Sequence, residues 1–176
     1  KSKIFAIEPT NYAFKKLTKN LSLNKNLNNN ISLNQKFISK VNRPKKVWSS
    51  WNFINKNKKH KKHFGSLKTI KKNSFISIAN FINLKKIKKV DFIKLDVDGH
   101  ELDVLKSGER FIKNKKPVIF MEIAPYLYPE FGYECSELIK YINKLGYSFY
   151  TDDVIKIIDI DNYIEKITHG SSKNFY

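Results

Sequence analysis

Acids stand at the ends of three apolar runs of strand length. Lys3-Ile4-Phe5-Ala6-Ile7 leads into Glu8, Val90-Asp91-Phe92-Ile93-Lys94-Leu95 into Asp96 with Asp98 close behind, and Val118-Ile119-Phe120-Met121 into Glu122. In an open α/β sheet, ligands bind outside the carboxyl ends of the strands. A carboxylate there can accept both hydroxyls of a nucleoside ribose. Any one of these acids could instead cap the next helix or lie on the surface, but three successive strand ends together read as a site. The glycine signatures of phosphate cradles are missing. Glycines occur only at 65, 99, 108, 132, 146 and 170, so neither G-x-G-x-x-G nor a P-loop can be written. The single cysteine, Cys135, excludes a disulfide scaffold and a thiolate zinc site and suggests a reducing compartment, the cytoplasm. His60 and His63 are spaced i, i+3 with no nearby acid or cysteine, so they read as solvated and no metal is expected.

Those acids need strands and turns to hold them, and hydrophobic periodicity supplies an alternating pattern. Lys3 to Ile7 reads as a strand stopped by Pro9. Asn11 is the expected cap of a helix whose Phe14, Leu17 and Leu21 share one face. Ile31 to Phe37 reads as a second strand, residues 40–72 as a long basic loop, and Ser77 to Leu84 as a short helix. Val90 to Asp96 is a strand followed by a turn at Gly99, and Glu101 to Ile112 a helix with Leu102, Leu105 and Ile112 inward. Pro117 opens the strand Val118 to Ile123. A helix from about Ser136 buries Leu138, Ile142 and Leu145 and ends at Gly146. Tyr147 to Tyr150 and Val154 to Ile158 are expected to pair antiparallel through Asp152-Asp153. The reading is α/β, with βαβ units, a mostly parallel sheet and a C-terminal antiparallel strand, in a single domain over residues 1–176.

The 176 residues are 41% hydrophobic and 14% aromatic, enough for a core, and no apolar run reaches membrane-span length. The 34 Lys and Arg outnumber 16 Asp and Glu for a net charge of +18, yet no acid occurs between Pro9 and Val90. An AT-rich coding bias explains abundant Lys, Asn and Ile better than it explains missing Asp and Glu. The functional alternative is an anionic partner for the basic half, residues 9–90: nucleic acid, a membrane surface or a phosphorylated glycan.

Phe5-Ala6-Ile7-Glu8-Pro9-Thr10 with Phe14, Leu17 and Asn20, and above all Val90-Asp91-Phe92-Ile93-Lys94-Leu95-Asp96-Val97-Asp98-Gly99-His100-Glu101, resemble the FkbM-type S-adenosylmethionine-dependent methyltransferases. Leu105-Lys106-Ser107-Gly108 and Pro117 to Glu122 continue the resemblance, which covers about residues 3–150. It implies a Rossmann-like three-layer sandwich, S-adenosylmethionine as cofactor, and methylation of a hydroxyl on a sugar or other small metabolite. It places Glu8 on the adenosyl ribose, Phe37 beside the adenine, and Asp96 where methyl group and acceptor meet. Asp98, His100, Glu101 and Glu122 flank the acceptor, and Asp96 or His100 is the base. Asp98 and Glu101 could equally fix the turn by accepting backbone N–H bonds. In this family's pattern a glycine turn precedes the ribose acid by about 20 residues. Counting back from Glu8 puts it before Lys1, so the first strand and its glycine loop are expected to be missing. Residues 1–176 alone are then expected to bind no S-adenosylmethionine.

Two other readings compete. Asp96-Val97-Asp98 is a D-x-D, which many glycosyltransferases use to hold a divalent metal. Trp48, Trp51, Phe53 and Phe64 among lysines would suit a nucleic-acid surface, but no binding-module signature accompanies them.

Overall fold

A computed structural model describes residues 2–41, 45–49, 66–70 and 74–176. The described chain is α/β, and it divides into two units, Lys1–Ile76 and Ser77–Tyr176.

In the first unit, β1 (Ile4–Ile7) is followed by Glu8-Pro9 and then α1 (Asn11–Leu23). Thr10, not Asn11, is the N-cap, and its side chain does not close the helix end. Glu8 holds the junction instead: Oε1 accepts from the Thr10 backbone N–H at 2.7 Å and from Thr10 Oγ1 at 2.6 Å. A single 3₁₀ turn, Lys25–Leu27, leads to β2 (Ile31–Asn34), which pairs parallel with β1 from Ile4↔Ile31 to Ile7↔Asn34. The expected strand from Ile31 to Phe37 is two strands. Gln35 and Lys36 leave the ladder, and β3 (Phe37–Ile38) pairs parallel with β6 (Phe75–Ile76). The stretch read as a loop over 40–72 carries paired strands on its flanks, β4 (Lys45–Ser49) antiparallel to β5 (Ser66–Ile70). The few apolar residues of these strands, Val47, Trp48, Leu67 and Ile70, show no clear period among the surrounding lysines.

The second unit opens with α2 (Ile78–Leu84), capped by Ser77, whose Oγ accepts from Asn80 N–H at 3.0 Å. β7 (Phe92–Leu95) pairs parallel with β8 (Val118–Ile123) from Phe92↔Val118 to Leu95↔Met121. The crossover between them is two helices rather than one, α3 (Glu101–Ser107) and α4 (Glu109–Lys115), broken at Gly108. A Cβ on Gly108 would sit 2.7 Å from Ile78 Cγ2, and Ser107 Oγ accepts from Ile78 N–H at 3.1 Å. The break therefore lets the start of α2 approach closely. α5 (Cys135–Lys144) has a reciprocal capping box between Glu134 and Glu137 and buries Leu138, Ile139 and Ile142. It terminates at Gly146, φ +79°, where Lys116 Nζ donates to the carbonyls of Leu145 and Gly146. The core gathers Leu95, Leu105, Ile112, Met121, Ile123 and Leu138, all nearly inaccessible, on the inner faces of β7, β8, α3, α4 and α5.

The C-terminal strand is antiparallel, as expected, but it is a different segment. Tyr150 and Lys156 make only an isolated bridge, and the strand against β8 is β9 (Lys173–Phe175), Met121↔Phe175 to Ile123↔Lys173. Between them lies α6 (Ile160–Glu165), capped by Asp159, whose Oδ1 accepts from Asn162 N–H at 3.0 Å. Burial decides the strand: Phe175 is fully buried, whereas Val154, Ile155 and Ile158 are exposed. The described strands form four separate ladders rather than one mostly parallel sheet.

Candidate active site

Parallel pairing of β7 with β8 fixes the central geometry. The ladder closes with Leu95 opposite Met121, so Asp96 and Glu122 are the next residues on neighbouring strands. Met121 and Ile123 are buried, and the two-residue period turns Glu122 to the other face. Asp98 joins them, and one carboxylate oxygen from each of Asp96, Asp98 and Glu122 lies within 4.8 Å of the other two. Asp96 Oδ2 also accepts from Lys94 Nζ at 2.7 Å, an exposed pair worth little to stability. Ser172 Oγ, from the turn before β9, donates to Glu122 Oε1. Tyr126 belongs to the same neighbourhood: burial raises its pKa, and the charges of Glu122 and Asp98 push it further.

The turn after β7 is held from below. Asp98 and Gly99 both take positive φ, +48° and +91°. Asp tolerates that region, whereas at Gly99 any side chain is also refused by space, because a Cβ would lie 2.4 Å from the Phe131 ring. The Gly99 carbonyl accepts from Tyr133 Oη at 2.8 Å, and the Tyr133 ring stacks on Tyr128 at 4.9 Å. His100 packs its ring on Phe131 at 4.3 Å and is only 6% exposed. Glu101, at the first position of α3, is 2% exposed. Its Oε1 accepts from Gly99 N–H at 3.3 Å, while Oε2 has no hydrogen-bond partner. Burial lifts its pKa from 4.5 to about 7, against an opposing pull from backbone groups of Glu101, Gly99 and Val97; the Asp98 charge adds slightly to the rise. The same burial raises the Tyr128 and Tyr133 phenols, and it pushes the Cys135 thiol up to about 12, leaving it inert as a nucleophile.

The residues expected from the sequence therefore separate by role. Asp96, Asp98 and Glu122 come together at one end of β7 and β8, and three oxygen donors at that spacing could hold a hard cation or a positively charged ligand group. Glu101 and His100 are both buried at the turn. Glu8 belongs to the first unit, where it organises the start of α1. Phe37, also in the first unit, is 5% exposed and packs with Val47 and against the Phe75 ring at 5.2 Å. Trp51, Phe53, His60, His63 and Phe64 lie outside the described residues. Sequence reasoning missed Tyr126, Phe131, Tyr133 and Ser172. The aromatic density from Tyr126 to Tyr133 was a usable signal for the first three; Ser172 carried none.

Paired parallel strands joined through helices make the described chain α/β, with three carboxylates gathered at the ends of β7 and β8. Residues 1–149 match the family model described as the methyltransferase FkbM domain, and the chain belongs to that family. It is similar over 99% of its length to a crystal structure of methyltransferase FkbM from Methylobacillus flagellatus KT, with 18% identity and a TM-score of 0.45. The chain spans 36% of that protein's length. No curated protein matches it. Among the described residues no helix is long and apolar enough to cross a membrane.

Proposed function

We propose that the protein is an S-adenosylmethionine-dependent methyltransferase acting on a hydroxyl of a sugar or another small metabolite, within a Rossmann-like domain. The observation that carries this reading is the convergence of Asp96, Asp98 and Glu122 at the ends of adjacent parallel strands in a chain of this family. The family match runs across the boundary between the two units, which supports reading both as parts of one methyltransferase domain.

The donor set suits the cofactor. Carboxylates only accept hydrogen bonds, so they fit ribose and acceptor hydroxyls, and their charge complements a sulfonium and an ammonium. When bound, S-adenosylmethionine supplies an electrophilic methyl group. Asp96, with its side chain about half exposed beside Lys94, is placed to take the acceptor hydroxyl's proton. Asp98 and Glu122 bind and orient acceptor hydroxyls, and Ser172 fixes the Glu122 carboxylate. His100 acts by position, since its ring is committed to Phe131. Glu8 is the proposed partner of the ribose through the oxygen not engaged by Thr10, and Phe37 shapes the end of its strand rather than presenting a free ring.

Methyl transfer is tested by incubating the full-length protein with methyl-labelled S-adenosylmethionine and a panel of monosaccharides, glycolipids and small alcohols. Label transferred to a hydroxyl, with no labelled product from the amide-only acceptors, is the expected result. Transfer only to amides would overturn the acceptor class, and transfer to nothing would overturn the activity.

A further inference from the structure

The net charge of +18 resides entirely in one unit. Residues 1–76 hold 19 of the 34 basic residues and a single acid, Glu8; residues 77–176 hold 15 basic and 15 acidic residues and are neutral. Both units come from one coding sequence, so a base-composition bias acts on both and cannot by itself produce this segregation. Glu8 is the one acid among residues 1–76, and its Oε1 accepts from Thr10.

α1 shows how the charge is displayed. Phe14, Leu17 and Leu21 are its partly buried face. At about 100° per residue, Lys15, Lys16, Lys19, Tyr12 and Leu23 fall together in a sector roughly 100° wide on the opposite face. Lys15, Lys16 and Lys19 are exposed, Lys16 Nζ lies over the Tyr12 ring at 5.3 Å, and Leu23 is 72% exposed. The stripe continues past the helix with exposed Lys25 and with Leu27 at 42%. Lysines interleaved with exposed leucines suit the boundary between anionic headgroups and acyl chains, where both charge attraction and apolar burial are gained. A nucleic acid would gain from the lysines but not from the leucines. Its recognition also favours arginine forks, and the first unit has one arginine, Arg43, against 18 lysines.

We propose that the outer face of α1 and the turn after it form a docking surface for an anionic lipid bilayer. The inference is independent of the methyl-transfer reading. Co-sedimentation of the full chain with vesicles of phosphatidylcholine alone, or with 30% phosphatidylglycerol, tests it at low and high salt. Binding is expected only to the anionic vesicles and is lost at about 1 M salt, where screening acts within roughly 3 Å. At roughly five-fold per lysine, Lys15→Gln, Lys16→Gln and Lys19→Gln together should lower partitioning on the order of a hundredfold. Leu23→Ser with Leu27→Ser, both at exposed positions, should weaken it about ten-fold with the charge intact. Circular dichroism melts of each variant confirm that α1 is still folded. Failure to bind anionic vesicles overturns the proposal, as does indifference to the leucine substitutions. Tighter binding to a single-stranded oligonucleotide that ignores Leu23→Ser would overturn it too, in favour of a nucleic-acid surface.

Discussion

Glu101 should make the stability of the second unit fall as pH rises. Its carboxyl is 2% exposed, one oxygen has no partner, and burial moves its pKa from 4.5 to about 7. Below pH 4.5 the group is protonated in both folded and unfolded states, and the folded state carries no penalty. Between 4.5 and 7 the unfolded chain has released the proton while the folded one still holds it, so unfolding releases a proton and stability falls with pH. Above 7 both states are ionised and the loss is complete. At 1.36 kcal/mol per unit, the displacement amounts to about 3 kcal/mol. Tyr128, Tyr133 and Cys135, which feel the Glu101 charge, stay protonated through this range because burial raises their own pKa values. Glu101→Gln keeps the shape and the acceptor for Gly99 N–H but cannot ionise; it leaves amide donors to satisfy, at about 1–3 kcal/mol independent of pH. Urea denaturation of both proteins from pH 4 to 8.5, followed by circular dichroism, isolates the effect. Wild type minus variant should shrink by about 3 kcal/mol across that interval. Parallel stability curves would refute the claim that a buried carboxyl is held neutral beneath the turn.

Gly99→Ala should cost about 1–2 kcal/mol for its positive φ and a further 1–3 kcal/mol for the collision with Phe131, and adding Phe131→Ala should recover only the second part; an unchanged urea midpoint would contradict this. Gly108→Ala should destabilise by about 1–3 kcal/mol by driving α2 away from the α3–α4 break, seen as a lower melting temperature, and a neutral substitution would show that the close approach to Ile78 is not needed. Glu8→Ala in the full-length protein should weaken S-adenosylmethionine binding by about 1.5–3 kcal/mol in calorimetry, and unchanged affinity would remove Glu8 from the ribose.

The elements around Asp96 and Glu122 were readable because apolar period, flanking proline and glycine, and helix punctuation all agreed there. β7, β8 and α5 fall where those signals placed them, and Gly146 ends α5 with the expected positive φ. What failed depended on partners distant in sequence. Gly108 breaks a helix because of Ile78, thirty residues earlier, a contact no local pattern encodes. β9 is three residues that become a strand only because β8 offers an open edge, while the more hydrophobic Val154 to Ile158 stays largely exposed. In the site, the acids were legible as residue types, but their burial was not. Glu101 and Asp96 look alike in the sequence, yet one is sealed under Tyr133 and Gly99 and the other remains half exposed.

Asp96 is the proposed group that takes the acceptor's proton. Its test is the single-turnover rate of methyl transfer by Asp96→Asn in the full-length protein, with labelled S-adenosylmethionine and the acceptor found in the panel. Asparagine preserves the side-chain shape and removes the base, so the rate should fall by about 10²–10⁴. A rate within two-fold of wild type, about 0.4 kcal/mol in barrier, would contradict the assignment and move the chemistry away from the end of β7.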